Sequence, residues 1–193
     1  MLRITNLTFA FDKKNILENF SLELDKGEIL AVMAPSGCGK TTLLGLIAGL
    51  YKPQKGEIEN TFEKIAYVFQ EPRLFPWLTV KENLLAVMDQ NDEAAKKTVL
   101  DCLTLVGLSD SLDKYPSELS GGMKSRAALA RGLAFGGDLF LLDEPFAALD
   151  EDLRHDLTNK LKDYLRAKNA AAILVTHNRE DAEQIADRII NLA

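Results

Sequence analysis

Residues 34–42, Ala-Pro-Ser-Gly-Cys-Gly-Lys-Thr-Thr, place two glycines, a lysine and three hydroxyls in nine positions. Gly37 and Gly39 let the backbone curl, so that N–H groups from Ser36, Gly37, Cys38 and Gly39 through Thr41 and Thr42 turn towards one anion. Lys40 supplies a point charge for β- and γ-phosphates, and the Thr41 hydroxyl can ligate Mg²⁺. The spacing is that of a phosphate-binding loop with one departure. Ala34 stands where the first glycine is usual, and its methyl group is small but disfavours φ > 0. Strings of this form arise by chance in roughly one or two chains per hundred of this size. The flanking pattern, apolar strand before and apolar-periodic helix after, makes the match more specific.

A second chemical pair follows the apolar run 139–142: Asp143 and Glu144. Asp143 suits the completion of a Mg²⁺ shell, directly or through water, and Glu144 suits a general base on an attacking water. Acidic pairs also cap helices, and only the upstream loop makes this one specific. Ser120-Gly121-Gly122 offers a hydroxyl and bare N–H groups at a helix start, which reads either as a second anion site or as an ordinary capped helix. Phe11, near the nucleotide loop in this reading, is either a stacking surface for adenine or a core residue. Cys38 is either a thiolate favoured by nearby N–H groups and Lys40 or a small residue that fits the loop, whereas Cys102 reads as packed in a helix. The two cysteines form no metal or disulfide pattern.

The elements that must position these residues follow from periodicity. A buried strand at 29–33 leads into the loop, and Leu43, Leu44, Leu46, Ile47 and Leu50 give the following helix its apolar face. Strands at 2–9 and 15–24 precede it and predict an antiparallel layer of their own; short strands at 57–59 and 65–69 follow the loop helix. Pro72 and Pro76 break regular structure over 70–77. Residues 79–108 read as two helices with a polar, exposed connection at 89–97. Ser120 opens the next helix, and Gly136-Gly137-Asp138 ends it. A strand at 139–142, a helix at 151–167, a strand at 172–176, a helix at 179–186 and a strand at 188–192 complete the chain. The expected fold is α/β: a P-loop NTPase core with an antiparallel β layer and an inserted α-helical subdomain. One domain spans 1–193, its core and β layer at about 1–74 and 136–193, its helical part at about 75–135.

At 193 residues, 47% hydrophobic and 27% charged, the composition is that of a globular domain. No apolar run approaches the ~20 residues that span a bilayer, and the first residues lack a signal-peptide core, so a cytoplasmic location is expected. A net charge of −6 argues against nucleic acid or anionic lipid as a direct partner.

The ordered set of Phe11, loop 34–42, Gln70, Leu119-Ser120-Gly121-Gly122, 139–144, Ala147-Ala148-Leu149-Asp150 and His177 resembles the ATP-binding subunit of an ATP-binding-cassette (ABC) transporter over essentially the whole chain. The resemblance implies ATP and Mg²⁺ as cofactors and these roles: Phe11 stacked on adenine, Gln70 sensing Mg²⁺ and the attacking water, and His177 acting as a switch on the γ-phosphate. It implies that Ser120 and Gly122 bind the γ-phosphate of ATP held by a second copy, and that Asp150 communicates across that interface. Two cassettes then face each other head to tail in a closed, isologous dimer. Permease subunits would dock near Gln70–Trp77, with a solute-binding protein as indirect partner and the whole held at the inner face of the membrane.

Departures from the family pattern are Ala34, Met123 where glutamine is usual, Lys124-Ser125-Arg126 in place of a more Gln/Arg-rich run, and Ala147 for serine. They bear on turnover rate rather than on direct chemistry. The stretch Gln70-Glu71-Pro72-Arg73-Leu74-Phe75-Pro76-Trp77 is similar to the QEPRLLPW run of the nitrate/sulfonate/taurine importer group. It would form a rigid pocket for a coupling helix, or pack the helical subdomain. The chain stops after the strand that follows His177, which predicts no substrate feedback through this subunit. A soluble ABC ATPase acting on nucleic acid or ribosomes is the alternative. The interval 41–120 leaves no room for a long coiled-coil insertion, and the chain carries one cassette. A catalytically inert nucleotide-binding module is a further alternative, opposed by Lys40, Glu144 and His177.

Overall fold

The computed structural model describes residues 1–11, 14–34, 37–89 and 93–192, with the side chains of Lys14 and Glu93 outside the description. The described residues form eight strands and six α-helices. β1 (Leu2–Phe11) and β2 (Lys14–Leu24) form a hairpin, and β3 (Ile29–Met33) leads through the loop to α1 (Lys40–Ile47). β4 (Lys55–Asn60) and β5 (Ile65–Val68) follow, then α2 (Val80–Leu85), α3 (Glu93–Leu105) and α4 (Gly121–Phe135). The chain closes with β6 (Leu139–Asp143), α5 (Glu151–Ala167), β7 (Ala171–Thr176), α6 (Arg179–Ile185) and β8 (Arg188–Asn191).

Two sheets form. The antiparallel one has the order β2-β1-β4, so the short strand after α1 pairs back onto β1. Ile4 is opposite Leu22 on one side and Ile58 on the other. The second sheet is parallel, with the order β5-β6-β7-β3-β8. Its inner strands β6 and β7 are buried along their whole length, which is why they read as unbroken apolar runs rather than alternating ones.

Alternate residues of the parallel sheet build two cores. Leu30, Val32, Leu139, Leu141, Ile173 and Val175 join α1 and the antiparallel layer. Ile29, Phe140, Leu142, Ala172 and Leu174 join α2 to α6. The sheet is therefore covered on both faces, as a parallel sheet requires.

The strand order decides the site. β7 lies between β3, which carries the phosphate loop, and β6, which carries Asp143. The carboxyl ends of three adjacent strands thus deliver Lys40, His177 and Glu144 to one edge, where open α/β sheets bind ligands.

One expected boundary shifts. The polar stretch 89–97 is not all connection, because α3 begins at Glu93 and Ala95 is 2% exposed. Lys96 and Lys97 are on the solvent face of a helix whose inner face is Ala95, Val99, Cys102 and Leu103.

Candidate active site

Lys40 is the first residue of α1 and only 8% exposed. The helix starts there because Gly39, at φ 85°, turns the chain in a conformation that L side chains rarely adopt. A Cβ on Gly39 would also lie 2.4 Å from Ile16 Cγ2, so β2 packs directly on the loop. Gly37 has the same left-handed backbone, φ 83°, but open space around it. The Lys40 Nζ donates to the Ala34 carbonyl at 2.7 Å and lies 3.1 Å from Glu144 Oε1. Ala34 is buried in the core shared with α1, and it is not among the described residues with positive φ, the conformation its methyl group would disfavour. Ser36 lies outside the described residues.

Thr41 Oγ1 donates to Asp143 Oδ2 at 2.7 Å. Asp143 is 1% exposed, and its second oxygen, Oδ1, is buried with no hydrogen-bond partner. Burial pushes this carboxyl above the usual range; the Thr41 bond and Lys40 oppose that, and Glu144 adds to it. An orphaned carboxylate oxygen beside a threonine hydroxyl is a hard, all-oxygen donor pair that fits Mg²⁺, which takes few protein ligands and completes its shell with water and phosphate oxygens. Among the described residues no cluster of three or more His, Cys, Asp or Glu could hold a metal by itself.

Glu144 follows the end of β6 with φ 48°, and its N–H donates to Val175 of β7 at 2.9 Å. Its side chain is 8% exposed between Lys40 and His177, with His177 Nδ1 at 2.9 Å from both carboxylate oxygens. A carboxylate only accepts, so Nδ1 carries the shared proton. The His177 ring is itself mostly exposed.

Lys40, Thr41, Asp143 and Glu144 line a cavity of about 290 Å³ with Ile16, Gly37, Gly39, Thr42 and Gln70; His177, Phe11 and Cys38 are not among its described lining residues. Gln70, just past β5, is exposed on its wall. Cys38 is half-buried and packs against the α1 core, and Cys102 is buried in α3. Phe11, at the end of β1, is 43% exposed and meets Phe9 and Tyr51 edge-on at 4.8 and 5.4 Å.

The remaining expected residues lie elsewhere. Ser120 caps α4 by accepting from the Met123 N–H, and Gly121 faces open space. A Cβ on Gly122 would lie 2.8 Å from the Ala148 carbonyl, so the start of α4 rests on the 147–150 loop. Asp150 caps α5 through the Leu153 N–H at 3.0 Å. None of Ser120, Gly121, Gly122 and Asp150 is among the described residues lining the cavity.

Sequence reading missed three groups that shape the surroundings. Ile16 is an unremarkable strand residue until β2 is seen against Gly39. Asn83 is fully buried, donating to Phe75, Leu78 and Thr79 and accepting from Phe75. Arg131 of α4 donates to the Pro72 and Arg73 carbonyls. A polar residue within an apolar helical pattern, as at Asn83, was the available signal.

A glycine-turned loop at the end of one strand, with a magnesium-suited Asp and a poised Glu at the end of another, defines a P-loop nucleotide hydrolase. The family described as ABC transporter matches residues 17–147. The aliphatic sulfonates import ATP-binding protein SsuB of Bacillus subtilis is 41% identical over 92% of this chain and 72% of its own length. The bicarbonate transport ATP-binding protein CmpC of Synechococcus elongatus is 42% identical over 91% of this chain and 28% of its own length. The bacterial ABC transporter cassette MJ0796, solved as a dimer, superposes with a TM-score of 0.89 at 30% identity, covering 99% of this chain and 94% of that one. A post-hydrolysis state of that cassette bound to ADP and Pi gives a TM-score of 0.88 at 31% identity, with the same coverage. The chain belongs to the ABC transporter family, within the nitrate/sulfonate/taurine importer group, as its ATP-binding, ATP-hydrolysing subunit.

Proposed function

We propose that this subunit powers a bacterial importer of a small anionic or organic solute, hydrolysing ATP at the 34–42 loop with Glu144 as general base. The observation that carries the reading is the placement of Glu144, shielded and hydrogen-bonded between Lys40 and His177 at the rim of the cavity. Lys40 exchanges its contact with Glu144 for the β- and γ-phosphates, which frees the carboxylate to take a proton from the attacking water. His177 orients Glu144 and reaches the γ-phosphate. Thr41 and Asp143 would hold Mg²⁺, with Gln70 placed to sense it and the water; the ion would supply charge neutralisation at the phosphate oxygens. Phe11 offers its exposed ring to adenine, supported from behind by Phe9 and Tyr51.

Residues about 75–135 act as a helical subdomain that presents Ser120 and Gly122 to ATP held by a second copy, head to tail, with Asp150 at the shared interface. Permease subunits dock at the Gln70–Trp77 segment, where Phe75 and Trp77 are exposed, and a solute-binding protein delivers cargo to them. Attachment at the inner membrane face is through the permease in this reading; no described helix is long and apolar enough to cross a membrane. The named cargoes of relatives, sulfonates and bicarbonate, support a small anion.

The test is Glu144→Gln. It should slow ATP hydrolysis by at least ~10²-fold, the usual worth of a general base, while equilibrium dialysis still registers ATP binding. Full ATPase activity in the variant would remove Glu144 from the chemistry.

A further inference from the structure

The 70–77 segment touches the nucleotide site by a route that does not pass through the Gln70 side chain. Tyr67 and Phe69 are two residues apart at the end of β5, so their rings leave the strand on one side. The rings stack with centroids 4.0 Å apart and planes 18° from parallel. The Tyr67 hydroxyl points to the Thr41 carbonyl at 3.5 Å. The Arg73 guanidinium sits over the Phe69 ring at 4.1 Å, a favourable cation–π contact. Arg73 is itself held in a left-handed backbone, φ 44°, by Arg131, which donates to its carbonyl at 2.9 Å and to that of Pro72 at 3.0 Å. Contacts therefore run without a gap from α4 through Arg131 and Arg73 to Phe69, Tyr67 and the backbone of Thr41.

A cavity beside the column bears on what it does. Tyr67, Phe69, Pro72 and Arg131 line this cavity of about 190 Å³, which leaves the column room to tilt.

We propose that Tyr67, Phe69 and Arg73 are positioning residues that form a stacked column, transmitting the position of Thr41 in the nucleotide site to the 70–77 loop alongside Gln70. The proposal rests on the reading of Thr41 as part of the ATP and Mg²⁺ site. Planar groups in face contact resist tilting independently. A shift of the Thr41 backbone as Lys40 and Thr41 engage phosphate is thus passed to Arg73 and the segment that follows it.

The protein carries its own reporter. Trp77 is the single tryptophan, 70% exposed at the end of that segment, with its ring 5.7 Å from Phe75. The full chain is titrated with a non-hydrolysable ATP analogue and Mg²⁺ while Trp77 emission is followed, and binding is measured separately by equilibrium dialysis of the radiolabelled analogue. In the unmodified chain the emission should change saturably with the dialysis affinity. Phe69→Leu should lose most of the amplitude at saturating analogue, and Phe69→Tyr should keep it. Arg73→Ala, at an exposed position where folding is not at stake, should lose amplitude as Phe69→Leu does. A flat Trp77 signal in the unmodified chain with analogue bound would overturn the proposal, as would full amplitude in both Phe69→Leu and Arg73→Ala. Failure of the analogue to bind in dialysis would instead overturn the reading of the nucleotide site.

Discussion

Asp143 is an expensive residue to keep ionised. It is almost wholly buried, and one carboxylate oxygen has no partner. Burial raises its pKa above the usual 3.8, so the folded state binds this proton more readily than the unfolded chain does. The contribution to stability is then fully present below the unfolded pKa and is lost as pH rises through the folded one. In Mg²⁺-free buffer, Asp143→Asn should stabilise the protein at pH 7.5 and give less or no gain at pH 5. Urea unfolding of both chains at the two pH values checks this. Asp138 and Asp187 are lowered by backbone N–H groups despite their own burial penalty and act in the opposite sense, so the difference between the chains is the quantity to read. An equal gain at both pH values would mean that the Asp143 charge carries no penalty. Added Mg²⁺ should stabilise the unmodified chain and leave the Asn variant unmoved.

At the scale of elements, the segment between β5 and α2 has no regular structure and is held by side chains. Asn83 of α2 carries most of that duty, with four hydrogen bonds between 2.8 and 3.1 Å to the backbone of Phe75, Leu78 and Thr79. Asn83→Ala leaves the Phe75 N–H and the Leu78 carbonyl to find other partners, while the Phe75 and Thr79 carbonyls still accept from the backbone N–H groups of Leu78 and residue 83. The expected cost is about 2–3 kcal/mol, since each unsatisfied buried group costs about 1–3 kcal/mol and water can reach some of these. A loss below about 1 kcal/mol in urea unfolding would show that solvent satisfies them. The strands and helices themselves were legible in the chain, because 29–33, 139–142 and 172–176 are apolar throughout and 151–167 repeats leucine at helical spacing. Gly39 and Ser120 marked two helix starts by their conformational and capping chemistry. The start of α3 was misplaced because the solvent face of its first turns is as polar as a loop, and burial of Ala95 leaves no local mark. The residues proposed for catalysis stand out in the chain by type, but their order in space does not. That His177 sits beside Glu144 follows from β7 lying between β3 and β6, and parallel pairing is decided by contacts distant in sequence. Tyr67, Asn83 and Arg131 escaped notice for the same reason, since each acts on backbone far along the chain or on a loop with no period.

The whole molecule divides its phosphate-seeking groups between two places. Lys40, Thr41 and Glu144 line one cavity, while Ser120, Gly121 and Gly122 stand outside it at the head of α4 against the 147–150 loop. Met123 does not disturb that head, because its N–H is capped by Ser120 and its side chain packs into the helical core. A helix N-terminus with an exposed serine and an unobstructed glycine suits an anion, yet the cavity lined by this chain's own Lys40 lies elsewhere. In the proposed head-to-tail dimer a second copy would resolve the mismatch, since an isologous pair satisfies both surfaces at once. Glu144→Gln, which retains ATP, should therefore elute as a dimer in size-exclusion chromatography when ATP and Mg²⁺ are present and as a monomer when they are not. Adding Ser120→Arg places a long cation where the second copy's γ-phosphate would approach and removes the cap of α4, at a stability cost of about 0.5–2 kcal/mol. The double variant should stay monomeric with ATP and still bind it with the affinity of Glu144→Gln alone, because the cavity around Lys40 is untouched. Dimerisation of the double variant at the same ATP concentration would mean that Ser120 does not face the nucleotide of the second copy. Loss of ATP binding by the isolated monomer would mean that the two surfaces are not separate.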